Sequence, residues 1–79
     1  MKTFVFLGFC FLFRNAIAAE CYCYQKDGSK HNTATTEICE SSYNLKSYPD
    51  TSFYCESNRD KHYWNQECKY HGCAGGTCK

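Results

Sequence analysis

Seven cysteines between residues 21 and 78 constrain this chain more than any other feature: Cys21, Cys23, Cys39, Cys55, Cys68, Cys73 and Cys78. Spread so widely, they can staple every part of that stretch wherever the compartment oxidises them. The residues around them make such staples necessary. From residue 20 onward the large aliphatic side chains are Ile38 and Leu45 alone, beside Phe53, Trp64 and the tyrosines at 22, 24, 43, 48, 54, 63 and 70. Ordering a chain costs on the order of 1.5 kcal/mol per residue, and so few apolar groups offset that poorly. A disulfide typically stabilises by about 2–4 kcal/mol through restriction of the unfolded chain.

The beginning of the chain reads as a targeting segment. Lys2 precedes an unbroken apolar run over residues 4–13 (FVFLGFCFLF), and Ala16-Ile17-Ala18-Ala19 follows with small residues where a signal peptidase cuts. Spanning a bilayer as a helix takes roughly twenty apolar residues, so the shorter run argues for a cleaved signal peptide rather than an anchor. Residues 1–19 are therefore expected to be removed, after Ala18 or Ala19, leaving residues 20–79 as one secreted, extracellular domain with no membrane contact. Cys10 goes with the signal peptide, and an odd seven cysteines remain. One thiol is left over, which could stay free, be capped by a small thiol, or form a disulfide-linked dimer. The pairing of the rest stays open, except that Cys21 and Cys23 are too close along the chain to bridge without strain.

Along the mature chain, Cys21-Tyr22-Cys23-Tyr24 alternates as a strand does, thiols on one face and tyrosines on the other. Asp27-Gly28 favours a tight turn, so residues 30–33 are expected to return as the second strand of a hairpin. Residues 36–43 read as a short helix, and Ser47-Tyr48-Pro49-Asp50 as a turn before a strand over residues 51–55. Residues 61–71 read as the stronger helix, capped by Asn58 or Asp60 and stopped by Gly72, with Trp64, Cys68 and His71 on its inner stripe. The tail from Gly72 to Cys78 reads as a glycine loop. The expected fold is a small disulfide-rich α+β domain with a short N-terminal hairpin, one or two short helices and a cysteine-anchored C-terminal loop.

Cys21-x-Cys23 followed by Asp27-Gly28-Ser29, a Thr-led segment ending in Cys39, an isolated Cys55, and an aromatic helix carrying Cys68 before Gly75-Gly76-x-Cys78 form a combination that resembles a known group. It is similar to the small secreted cysteine-rich proteins of filamentous ascomycete fungi, many of them candidate effectors associated with virulence. The resemblance implies export, a compact fold and action on a host or competitor. Members often carry adjacent cysteine pairs, whereas Glu40 and Lys69 stand here where a second cysteine would fall.

Other chemistries are weaker readings. His62, Cys68, His71 and Cys73 have zinc-ligand types, but oxidation would consume the thiols and no Cys-x2-Cys pair is present. His31, Glu37, Arg59 and His62 could supply the acid, base and cation of a ribonuclease, yet so short a chain rarely adds a deep cleft to its fold. Lys26, Lys30, Lys46, Arg59, Lys61, Lys69 and Lys79 are balanced by eight acids, which leaves no basic footprint for nucleic acid or anionic lipid. No enzymatic role and no cofactor are expected.

The tyrosines remain. Tyr54, Tyr63 and Phe53 with Trp64 are expected to fill the interior, while Tyr22, Tyr24, Tyr43 and Tyr48 could form a rigid contact surface, because tyrosine offers large area at low entropy cost. The function expected from the residues is that of an effector-type binding protein whose partner is a host or microbial protein or a cell-wall component. The alternative is a defensin-like or knottin-like toxin or inhibitor. An intact mass of the exported chain, before and after reduction and alkylation, is expected to start at Ala19 or Glu20 and to reveal three bridges and one further thiol.

Overall fold

The computed structural model describes residues 18–79; the signal-peptide reading, with Cys10, falls on residues that lie almost wholly outside that range. Strand β1 spans Ala19–Tyr24 and alternates as expected, with Cys21 and Cys23 fully buried and Tyr22 and Tyr24 partly exposed. The turn after it forms at Asp27-Gly28: Gly28 takes φ +89°, and the Asp27 carboxylate accepts from the Ser29 amide at 3.0 Å. The return of the hairpin is one bridge, Tyr24 to Lys30, rather than a strand.

Helix α1 spans Asn32–Ile38 and so begins earlier than the sequence pattern suggested. His31 supplies the unforeseen cap, its Nδ1 accepting from the Ala34 amide at 3.2 Å. The helix start also completes the hydrogen bonding of β1. The Cys23 amide donates to the Thr35 hydroxyl at 3.0 Å, and the Cys23 carbonyl accepts from the His31 amide at 2.9 Å. Buried backbone groups that no strand reaches are thereby satisfied. Past Cys39 the chain leaves the helix, and Ser42–Asn44 forms a single 3-10 turn in place of the expected helical continuation.

Strand β2 (Leu45–Ser47) was not apparent in the sequence, being three residues of mixed character. It pairs with β3 (Phe53–Ser57) through Leu45–Cys55, Lys46–Tyr54 and Ser47–Phe53, around a turn in which the Tyr48 amide donates to the Ser52 carbonyl at 2.8 Å. Asn32 holds that turn from α1, its Oδ1 accepting from the Phe53 amide at 2.9 Å. Helix α2 (Lys61–Tyr70) follows the expected bounds. Asp60 caps it through the Tyr63 amide at 2.9 Å, and Gly72 at φ +90° ends it. The tail is anchored by the Cys78 bridge alone, with Cys73 buried but unbridged, and Gly75–Cys78 extends as edge strand β4 rather than a loop.

The sheet is antiparallel in the order β2-β3-β1-β4, so β1 is central. Both helices cover its cysteine face, where Cys21, Cys23, Ala34, Ile38, Cys55, Trp64, Cys68 and Cys73 form one buried cluster. The bridges are Cys21–Cys78, Cys23–Cys68 and Cys39–Cys55, and Cys73 is the one cysteine without a bridge among the described residues. Trp64, wholly buried, donates its indole proton to Ser57 Oγ at 3.0 Å, and that hydroxyl donates to Glu40 Oε2 at 2.8 Å. Of the expected interior aromatics, Tyr63 packs partly buried against the cluster, whereas Tyr54 alternates to the opposite face. His71 does not join the inner stripe of α2; it sits at the helix end, 3.6 Å from Glu37. No described helix is long and apolar enough to cross a membrane.

Ala19 pairs with Ser57 in β1. Cleavage after Ala18 would leave this strand whole, and cleavage after Ala19 would remove its first pair.

Gly76 lets β4 lie directly on α2. A Cβ there would meet Cys68 Sγ and come within 2.7 Å of the Trp64 carbonyl oxygen, both atoms of the rigid interior. Gly76→Ala is accordingly expected to destabilise by about 1–3 kcal/mol through overpacking. Urea denaturation of the oxidised protein measures this, with Ala74→Ser as an exposed control near zero.

Candidate binding surface on the outer sheet face

Two helices cover one face of the sheet; the other carries tyrosines. Alternation along β1 puts Tyr22 there, and alternation along β3 does the same for Tyr54, the neighbour of buried Cys55. Tyr48, on the turn between β2 and β3, lies between them. Its ring sits 4.4 Å from that of Tyr54 with the planes inclined at 38°, and 6.2 Å from that of Tyr22, edge to face at 84°. Edge-to-face and tilted contacts of this kind are the favoured arrangements of aromatic quadrupoles.

Charged groups fix the cluster. The Tyr48 hydroxyl donates to Glu20 Oε1 at 3.0 Å. Lys30 Nζ lies 4.9 Å from the centre of the Tyr22 ring and 5.0 Å from that of Tyr48. Lys79 Nζ approaches the same rings at 5.8 and 5.9 Å. Lys46 and Glu56, also on this face by register, pair at 3.6 Å. Desolvation, then the hydrogen bond and negative charge of Glu20, raise the Tyr48 phenol well above its ordinary value.

Of the four tyrosines singled out in the sequence, the fold brings Tyr22 and Tyr48 together. Tyr24 leans instead over Gly75, where a Cβ would come within 2.7 Å of its hydroxyl oxygen, and lines a shallow depression with Lys61, His62 and Asn65. Tyr43 stands 85% exposed on the 3-10 turn and makes none of the ring contacts seen among the described residues. Tyr54, Lys30 and Lys79 are the members the sequence reading missed. Alternation with Cys55 could have placed Tyr54; nothing local could have placed the lysines.

Most groups of the alternative chemistries have other partners in the fold. His62 is the second residue of α2 and His71 follows its end, nine residues on, so at a rise of 1.5 Å per residue they stand roughly 14 Å apart along the axis. Cys68, between them, is bonded to Cys23 and has no thiolate to offer a metal. Cys39, Glu40 and Cys55 lie within 4.8 Å of one another, but their sulfurs are likewise bridged. Among the groups of the ribonuclease reading, His31 caps α1, Glu37 faces His71, and Arg59 lies 3.9 Å from Glu40. Cys73 is 8% exposed, and burial raises its thiol's pKa, so a bond to a second chain would require it to leave the core.

The Tyr48 phenol supplies a test at alkaline pH. In the unfolded chain a tyrosine ionises near pH 10, whereas folded Tyr48 keeps its proton to higher pH, so the native state binds more protons above that point and stability falls as pH rises. Urea midpoints at about pH 8 and about pH 10.5 are expected to differ more for the wild type than for Tyr48→Phe. At the lower pH, Tyr48→Phe is expected to cost about 0.5–1.5 kcal/mol for the lost hydrogen bond to Glu20.

Comparison of the chain with protein-family models, with curated proteins and with solved structures finds no match.

Proposed function

We propose that this chain is an exported, non-enzymatic binding protein of the effector type, which grips a host or competitor macromolecule with the tyrosine face of its sheet. The observation that carries this reading is the gathering of Tyr22, Tyr48 and Tyr54 on the sheet face opposite the two described helices. A stretch as short of apolar residues as residues 20–79 would be expected to spend its aromatic rings on the interior. Three of them stand outside instead, locked by ring contacts, a carboxylate and two lysines, so little side-chain entropy remains to be lost when a partner arrives.

Three disulfides suit an oxidising extracellular compartment and hold that face rigid. A cluster of exposed rings spread over a sheet face suits a macromolecular partner better than a small molecule. Its rings also have the character of interface hot spots.

The oxidised protein, immobilised as bait, is expected to recover a defined partner from host or competitor extract. Tyr22→Ala/Tyr48→Ala is expected to lose at least nine-tenths of it, while Tyr43→Ala retains it. Equal recovery by the double variant, with all three bridges confirmed by mass, would remove the tyrosine face from the reading.

A further inference from the structure

Where α2 meets the β4 edge of the sheet, Tyr24, Lys61, His62, Asn65, Gly76 and Thr77 line a depression of about 330 Å³, near the lower end of the roughly 300–1,000 Å³ typical of ligand sites. It shares no residue with the cluster of Tyr22, Tyr48 and Tyr54. Glycines make room for it: Gly76 brings no side chain, and the Tyr24 hydroxyl and Asn65 Oδ1 converge to 2.7 and 2.6 Å from the point where a Gly75 Cβ would lie. Tyr24, Asn65 and Thr77 are each partly buried, so their polar atoms are partly cut off from water. Among the described residues, Asn65 Oδ1 is the one side-chain atom of this lining with a protein partner, the Gly76 amide at 3.1 Å. The Tyr24 and Thr77 hydroxyls, the Asn65 amino group, the His62 ring and the Lys61 ammonium pair with no described protein group. In the depression between the two turns, by contrast, the polar groups are spent on protein partners: Asp50 holds Ser52, and Asn32 holds Thr51 and Phe53.

We propose that this depression binds one unit of a neutral polysaccharide, as a site additional to the tyrosine face. A sugar ring carries hydroxyls that each donate and accept. The unspent set here is of the same kind: two hydroxyls and an imidazole that do both, with an amide and an ammonium that donate. The Tyr24 ring adds an apolar surface beside its hydroxyl for the carbon-bound face of the sugar. Charge does not favour an anion, because Lys61 adjoins Asp60, whose carboxylate keeps its charge while it caps α2. A peptide strand is disfavoured as well. The Gly76 amide, which such a strand would need at this edge, is taken by Asn65, and no Leu, Ile, Val or Phe lines the depression to seat a peptide side chain.

The test titrates cellotetraose, laminaritetraose, mannotetraose and chitotetraose, each at millimolar concentration, into the oxidised, isotope-labelled protein and follows its backbone amide resonances. At least one is expected to bind, shifting the amides of residues 61–65 and 75–77 before others. Tyr24→Phe/Thr77→Val removes two hydroxyls that have no protein partner, so it is expected to keep the wild-type urea midpoint and to weaken that binding at least tenfold. Tyr22→Ala/Tyr48→Ala is expected to bind the sugar as wild type does. Wild-type protein that ignores all four oligosaccharides, or Tyr24→Phe/Thr77→Val that binds as tightly as wild type, would overturn the proposal. So would binding lost from Tyr22→Ala/Tyr48→Ala but kept by Tyr24→Phe/Thr77→Val, which would place the sugar on the tyrosine face. Binding of tetragalacturonate without binding of any neutral oligosaccharide would make the ligand an acidic one and overturn it too.

Discussion

The bridge between Cys23 and Cys68 ties the central strand to the longer helix, and the remaining architecture is arranged around that joint. Cys23 is wholly buried on β1, Cys68 is wholly buried on α2, and Trp64 lies one helical turn before it. Gly76 then brings β4 close enough for the last strand to rest on the same helix. The interior is thus mostly sulfur and one indole, with Ala34 and Ile38 as its aliphatic part. In a chain with so little oil, restriction of the unfolded state does what apolar burial does in larger domains.

Placing the sulfur on one face has a consequence for the other. Cysteine and tyrosine alternate along β1, so turning the thiols inward turns Tyr22 outward by the same geometry. Cys55 and Tyr54 repeat the relation on β3. The surface and the core are two readings of one period, and the second cannot be changed without the first. A register slip of a single residue would bury tyrosines and expose disulfides.

Much of the secondary structure was legible because its signals are local. Asp60 and Gly72 bound α2, Asp27-Gly28 makes its turn, and the β1 alternation is as written. What escaped depended on distant partners. α1 starts at Asn32 because His31 caps it and Thr35 completes the bonds of Cys23, neither of which local propensity reveals. β2 and β4 are short and poor in strand-forming side chains, and they extend because β3 and β1 supply the other half of their ladders. The surface divides in the same way: Tyr22 follows from alternation, but Tyr48 joins it by way of a turn, and Tyr24 is drawn off toward β4 by the space that Gly75 leaves.

From its residues alone the stretch from residue 20 onward is committed to disulfides, because it carries too few apolar groups to hold itself by burial. The same residues commit it to a strand with sulfur on one side and phenol on the other, because side chains alternate. Which cysteine meets which, which one has no bridge among the described residues, and which lysines reach the tyrosines were decided only by the tertiary structure. Those outcomes depend on distances between residues as far apart as Cys21 and Cys78, and no local preference encodes such distances.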